Sequence, residues 1–110
     1  MAEHRQGEIW WADLPAPAGR RPVLILTRSD ALAHLTNVTV APLTRMIRGG
    51  DFEVVLSPEG DRVPSLCAVS LDNILTIRKS ILDRRITTLP VETMTAVFRA
   101  IRFTFAMSEQ

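Results

Sequence analysis

The chain has 110 residues, a length that suits one domain around one hydrophobic core. With 46% hydrophobic and 23% charged residues, it has the balance of a folded globular protein, which argues against a disordered chain. The net charge of +1 is too small to indicate a nucleic-acid binder by itself, so any electrostatic argument has to rest on local clustering.

Short β-type segments separated by turn residues fill the first half of the chain. Strands are predicted where β-branched and aromatic residues concentrate, at 8–14, 22–27 and 37–44. The run at 22–27 is almost continuously apolar, which is typical of a central, buried strand. A proline-rich loop over 15–19 and one helical turn over 30–35 connect these strands. Thr44 therefore falls where a strand ends.

The β pattern continues beyond the Gly49-Gly50 turn. Further short strands are predicted at 52–56, 65–70 and 73–77, with a last edge strand at 84–86. The segment 57–61 consists of turn formers and is predicted to be a loop. So many short strands indicate a closed or coiled sheet.

The hydrophobic period changes near the C-terminus. Apolar residues recur there at steps of three and four, at Val91, Met94, Val97, Phe98, Ile101 and Phe105. Pro90 and Glu92 are suited to a helix N-terminus. We expect an amphipathic helix whose apolar stripe packs on the core or on a dimer partner.

The single cysteine, Cys67, excludes an intrachain disulfide and favours a reducing compartment. The segment 1–7 has no apolar signal core, and no run approaches the roughly 18 apolar residues that a membrane span needs. We therefore expect a cytoplasmic protein that makes no membrane contact.

Several common catalytic signatures are absent from the sequence. It has no glycine-rich phosphate loop, HExxH, paired-cysteine or G-x-S-x-G motif. His4, His34 and Cys67 lack the spacing of metal ligands. We expect neither a metal nor another cofactor.

Arginines cluster between residues 20 and 48. This segment has no lysine and one acidic residue, Asp30, beside five arginines: Arg20, Arg21, Arg28, Arg45 and Arg48. The planar fork of arginine matches phosphate. A solvated face of scattered charges is the alternative interpretation.

Arginine and hydroxyl groups suit one reaction in particular, the attack of a ribose 2′-hydroxyl on its neighbouring phosphate. That reaction needs no nucleophile from the protein, only phosphate binding, in-line alignment and charge stabilisation. Because a guanidinium stays protonated, it is a poor general base. The sequence does not identify the general base of this reaction.

Three ordered segments resemble the MazF/PemK toxin family: Gly-Glu-Ile-Trp-Trp-Ala-Asp-Leu at 7–14, Gly-Arg-Arg-Pro-Val-Leu-Ile-Leu at 19–26 and Val-Ala-Pro-Leu-Thr at 40–44. The segments 64–69 and 72–77 and the closing helix are similar to the second half of that family. The resemblance thus covers nearly the whole chain.

The resemblance implies a mainly β fold, a small SH3-like barrel of the PemK/CcdB type with a C-terminal amphipathic helix, as one domain over 1–110. It also implies a homodimer and sequence-specific, metal-independent cleavage of single-stranded RNA to 2′,3′-cyclic phosphate and 5′-hydroxyl ends. A cognate MazE-like antitoxin with an acidic segment is the expected inhibitor, since such a segment complements the arginines.

Matched position by position, the resemblance assigns the catalytic arginine to Arg21 and the catalytic threonine to Thr44. Without the resemblance, Arg21 is interpreted as a surface arginine at the start of a strand, and Thr44 as a residue whose hydroxyl forms a hydrogen bond with nearby backbone. Five further residues are RNA-binding candidates: Arg20, Arg45, Arg48, Trp10 and Asn73. Trp10 and Trp11 face opposite sides of a strand, so at most one offers a stacking platform. Asn73 either contacts a base or braces a turn.

One departure concerns the loop before Arg21. Many relatives have a longer loop with an acidic residue, whereas 15–20 is short, proline-rich and free of carboxylates. An assisting acid and a long flap are therefore not expected, and the sequence does not indicate which RNA bases the site prefers. Two other functions stay open: a CcdB-like toxin that poisons a protein such as gyrase, and a non-catalytic RNA-binding barrel.

Overall fold

The computed structural model of the protein describes residues 4–107. Within that range the strands are β1 (Glu8–Asp13), β2 (Arg20–Ile25), β3 (Asn37–Thr44), β4 (Glu53–Leu56), β5 (Cys67–Ser70), β6 (Leu75–Arg78) and β7 (Leu82–Thr88). The helices are α1 (Ser29–Leu32), α2 (Pro58–Asp61) and α3 (Val91–Thr104), and two 3-10 turns cover Leu71–Asn73 and Lys79–Ile81.

The strands form one antiparallel sheet in the order β4-β5-β3-β2-β1-β7, and β6 pairs with β3 beside this path. The mainly β fold with a C-terminal helix is confirmed. Of the two expected forms, closed or coiled, the closed sheet is wrong, because in the described part of the chain β4 and β7 lie at opposite ends of the path and do not pair with each other. The sheet branches at β3, whose first half pairs with β6 and whose last two residues pair with β5.

Two predictions about local structure need correction. The segment predicted as a loop at 57–61 contains α2, because Ser57 accepts a hydrogen bond from the Gly60 N–H at 3.1 Å and Pro58 occupies the first turn. The edge strand predicted at 84–86 is longer and spans Leu82–Thr88. Its pairing with β1 shifts register twice, which hides the period-two pattern.

Both faces of the sheet are covered, so the continuous apolar run of β2 is explained. Leu24 belongs to a core cluster that includes Val97 of α3, whereas Val23 and Ile25 belong to a second cluster on the other face. The predicted helix is confirmed, although Val91 and Phe105 of the predicted stripe are exposed.

The expectation that segment 1–7 has no apolar signal core concerns residues that the structure describes only in part, because residues 1–3 lie outside the described residues. From residue 4 to residue 107, no helix has the length and apolar character needed to cross a membrane.

Candidate functional site

Arg21 and Thr44 lie on neighbouring strands, where β2 begins and β3 ends. The β2–β3 register pairs Val23 with Pro42 and Leu24 with Ala41. Continued for two residues beyond Val23, the same register sets Arg21 across from Thr44. Both residues line two adjoining grooves, of about 540 and 360 Å³. We call the pair the Arg21–Thr44 ridge, because it stands between the two grooves.

The local backbone sets the direction of the Arg21 side chain. Its Nε donates to the Ala18 carbonyl oxygen at 3.1 Å. The short loop reverses at Gly19, whose φ of +71° favours glycine, and the Leu14 N–H donates to the Gly19 oxygen at 3.1 Å. No carboxylate among residues 4–107 forms an ion pair with Arg21. Its two terminal nitrogens are therefore available to an anion.

The hydroxyl of Thr44 is oriented by its own turn. Its Oγ1 accepts a hydrogen bond from the Met46 N–H at 3.1 Å. With that lone pair occupied, the hydroxyl hydrogen is free to be donated to an anion in the groove. Thr44 is thus suited to be a donor, as is Arg21.

Two other predicted arginines line the first groove but differ in their partners. Arg45 is exposed and, within the described residues, makes no ion pair or side-chain hydrogen bond. Arg20 pairs with Asp13 at 3.1 Å and with Asp83 at 2.7 Å. The hydrogen bond to Asp83, followed by that to Asp13, raises the pKa of Arg20. Arg45 is therefore the freer positive charge.

Arg48 and Asn73 line the second groove, where both are held by neighbours. Arg48 makes two hydrogen bonds to the Asp72 carboxylate, at 3.0 and 2.9 Å, and its guanidinium lies 4.6 Å from the centre of the Phe52 ring. The Asn73 side-chain amide donates to Ser70 Oγ at 2.9 Å. Asn73 therefore has the geometry of a brace.

The Arg48–Asp72 pair makes the free energy of unfolding depend on pH in the acid range. The hydrogen bond from Arg48, with a further one from Ser70, lowers the pKa of Asp72 from 3.8 to about 2. A carboxylate with a lowered pKa stabilises the fold above its ordinary pKa and loses that contribution as pH falls through its folded value.

We therefore expect Asp72→Asn to be less stable than wild type above about pH 4, with the difference vanishing toward about pH 2. Urea unfolding at a series of pH values measures this. Asp51→Asn, at an exposed carboxylate of the same part of the chain, is the control. A difference in unfolding free energy between Asp72→Asn and wild type that persists unchanged at about pH 2 would contradict the lowered pKa of Asp72.

Of the two tryptophans, Trp11 lines the first groove and Trp10 lines neither of the two. The Trp10 indole donates to Glu8 Oε1 at 2.9 Å and lies 4.6 Å from the His4 ring. The stacking candidate is therefore Trp11 in place of Trp10. The strand alternation indicates that one of them faces the groove, but it does not indicate which one.

Cys67 lies in the wall of the first groove but is buried. Burial, followed by the charge of Asp61, raises the pKa of its thiol to about 11. The thiol is therefore neutral near pH 7 and a poor nucleophile. The described residues contain no group of three or more histidine, cysteine or acidic side chains placed to hold a metal ion.

Known proteins are similar to this chain in sequence and in fold. Residues 5–105 match the PemK-like, MazF-like toxins of type II toxin–antitoxin systems. The chain belongs to this family. The resemblance of its motifs to MazF/PemK toxins is thereby confirmed.

Individual relatives match most of the chain. It is 40% identical over 96 residues to probable endoribonuclease MazF5 of Mycobacterium tuberculosis, covering 87% of each chain. It is 45% identical over 85 residues to probable endoribonuclease MazF2 of that species, covering 77% of this chain and 81% of the relative. The solved structure of Mycobacterium tuberculosis toxin MazF-mt6 has a TM-score of 0.84 at 38% identity, over 93% of this chain and 99% of that one.

Proposed function

We propose that the protein is the toxin of a type II toxin–antitoxin pair and a sequence-specific endoribonuclease that cuts single-stranded RNA at the Arg21–Thr44 ridge. The observation that carries this proposal is a guanidinium with no ion pair to any residue of 4–107, set across from a hydroxyl that can donate, between two grooves. The family and its endoribonuclease relatives supply the reaction class.

The reaction is an internal phosphoryl transfer. The ribose 2′-oxygen forms a bond to the adjacent phosphorus while the bond to the 5′-oxygen breaks, which leaves a 2′,3′-cyclic phosphate and a 5′-hydroxyl. Arg21 binds the non-bridging oxygens as charge grows on them, and the Thr44 hydroxyl donates to the same phosphoryl group. The departing 5′-oxygen takes its proton from solvent, so Arg21 stays protonated throughout. Such fixed donors contribute most where charge develops in the transition state.

The proton of the 2′-hydroxyl passes to solvent. Among the described residues that line the two grooves, there is no carboxylate or imidazole. This matches the loop before Arg21, which carries no acid. Catalysis then rests on alignment and charge stabilisation and needs no bound metal.

The two grooves accommodate the nucleotides on either side of the cleaved phosphate. Arg45, which has no ion pair within the described part of the chain, offers the first groove a positive charge for a neighbouring phosphate, and Arg48 is placed at the second groove. A single strand is required because its sugar can turn to align the 2′-oxygen with the leaving 5′-oxygen, which a regular duplex prevents.

The family assignment supports the assembly and location proposed here. A MazE-like antitoxin with an acidic segment inhibits the enzyme by competing with RNA for Arg21 and Arg45. Residues 1–110 act as one domain in a cytoplasmic homodimer. Phe103, Phe105 and Met107 are more than half exposed at the end of α3 and supply apolar surface for the second copy.

RNA cleavage is favoured over the two other functions by the relatives, which are named as endoribonucleases. A CcdB-like toxin directed at a protein such as gyrase has no use for a phosphate site at Arg21 and Thr44. A non-catalytic RNA-binding barrel would bind RNA and leave it intact.

The test uses purified protein, mixed-sequence single-stranded RNA and excess EDTA. We expect fragments that end in a cyclic phosphate and begin with a 5′-hydroxyl. We also expect an oligonucleotide with one 2′-deoxyribose at the mapped site to resist cleavage there, because it lacks the attacking oxygen. Cleavage that needs a divalent metal, or that occurs at the deoxyribose, would contradict the proposal.

A further inference from the structure

A connected set of four side chains adjoins the first groove, which two of the four line. We call Trp11, Arg20, Asp13 and Asp83 the Trp11 cluster. Arg20 lies with its guanidinium carbon 5.3 Å from the centre of the Trp11 ring. Its Nη1 donates to Asp13 at 3.1 Å and its Nη2 to Asp83 at 2.7 Å. Trp11 and Arg20 also line the groove.

The cluster depends on an irregularity of the sheet. β7 pairs Arg84 with Trp11 and then Leu82 with Ala12, so Asp83 is the extra residue of a bulge. A bulge redirects a side chain away from regular alternation. Asp83 thereby reaches Arg20 across β1, although the two residues are 63 positions apart.

The charge of the cluster differs from that of the ridge. One guanidinium faces two carboxylates in the cluster, whereas Arg21 and Arg45 have no carboxylate partner among the described residues. A phosphate is therefore attracted to the ridge and to Arg45 and is disfavoured at the cluster. The ridge and Arg45 are thus cationic, whereas the Trp11 cluster combines one guanidinium with two carboxylates.

The Trp11 cluster has groups that can recognise a nucleobase. The indole and the guanidinium plane offer stacking surfaces for a splayed base of single-stranded RNA. The remaining N–H groups of Arg20 can donate to a base edge, and the oxygens of Asp13 and Asp83 can accept from it. Both carboxylates are largely exposed, so they remain accessible.

We propose that the Trp11 cluster is a base-reading subsite, which selects one nucleobase beside the cleaved phosphate. Arg20, an RNA-binding candidate from sequence alone, is then a specificity-determining residue. This inference rests on the proposed function, since the selected base belongs to the RNA bound at the ridge.

The experiment compares Arg20→Gln and Asp83→Asn with a matched control, Arg28→Gln. Arg28 also pairs with an aspartate, Asp30, at 2.7 Å, but it lines neither groove. Each protein is given a random single-stranded RNA library, and base preference is mapped at every position around the cleavage sites. In parallel, RNA bound by each protein is sequenced, which reads the same preference without cleavage.

We expect Arg20→Gln and Asp83→Asn each to reduce the preference at one and the same position by about tenfold, because a good paired contact discriminates bases by that order. Arg28→Gln should keep the wild-type preference. Thermal unfolding should shift little in all three, because exposed ion pairs contribute little to stability. A lost preference is then not a sign of unfolding.

Salt dependence separates a base contact from a phosphate contact. If Arg20 reads a base, the slope of log affinity against log salt stays as in wild type. A uniform loss of affinity for all sequences, with a slope reduced by about one, would identify a phosphate contact and overturn the inference. If wild type cuts no RNA, the proposed function fails, while the bound-RNA preferences still decide this inference.

Discussion

Arg21→Ala is expected to lower kcat for RNA cleavage by about 10²–10³-fold, the usual cost of removing one donor from a site where charge develops. The loss should fall on kcat more than on KM, because growing negative charge strengthens the contact in the transition state. Arg21→Lys should recover only a small part, since an ammonium keeps the charge but lacks the two-pronged geometry. Single-turnover cleavage of one end-labelled RNA measures both variants.

The comparison variant for Arg21 is Arg45→Ala, which removes an exposed arginine from the same groove. We expect it to raise KM with a small effect on kcat, because Arg45 lies beside the ridge and contacts a neighbouring phosphate. Thr44→Ala should add little to Arg21→Ala in the double variant, since both donate to one phosphoryl group and act as a unit. Equal and purely KM-type losses for Arg21→Ala and Arg45→Ala would remove Arg21 from catalysis.

Some of this site could be predicted from the chain itself. The bounds of β3, 37–44, agree with the prediction, because polar and branched apolar residues alternate there without interruption. That agreement places Thr44 at a strand end. The residue types at Arg21 and Thr44 allowed phosphate chemistry, and the family resemblance selected them from the other arginines and hydroxyls.

The partners of the arginines could not be predicted. Arg20 and Asp83 are 63 positions apart and meet through a bulge in β7, which leaves no periodic signal in the sequence. Arg48 similarly meets Asp72 across 24 positions. A run of arginines indicates charge, but only tertiary contacts decide which guanidinium stays free for an anion.

The short helix α2 had a readable signal. Ser57 followed by Pro58 is an N-cap followed by a first-turn proline, although Gly60 and Asp61 favour a turn. The open sheet had no such signal in the sequence, because closure of a sheet depends on strand order and register. Neither follows from strand count alone.

The loop between β3 and β4 is tied to the core by one buried carboxylate. The Glu53 side chain is 1% exposed, and its Oε1 accepts from the backbone N–H groups of Arg48 and Gly49 at 2.8 and 2.6 Å. Its Oε2 lies 3.6 Å from Arg48 Nε and has no hydrogen-bond partner in the described part of the chain. This loop begins directly after Thr44 and carries Arg45, so the carboxylate fixes backbone next to the ridge.

We expect Glu53→Ala to lower the free energy of unfolding by about 2–3 kcal/mol, because two backbone donors lose their buried acceptor. Glu53→Gln should cost less, about 1 kcal/mol or below, since its amide oxygen still accepts from both donors while a buried charge disappears. Urea unfolding at one fixed protein concentration measures both, with Glu59→Ala at an exposed carboxylate of α2 as control.

The same two variants connect stability to the site. If the tether positions Arg45, Glu53→Ala should raise KM for RNA under conditions where the protein is fully folded, and Glu53→Gln should restore wild-type KM. An unchanged KM in folded Glu53→Ala would mean that the loop is held by its other contacts, those of Arg48 with Asp72 and Phe52. The Glu53 carboxylate would then stabilise the fold without setting the position of the RNA-binding arginine.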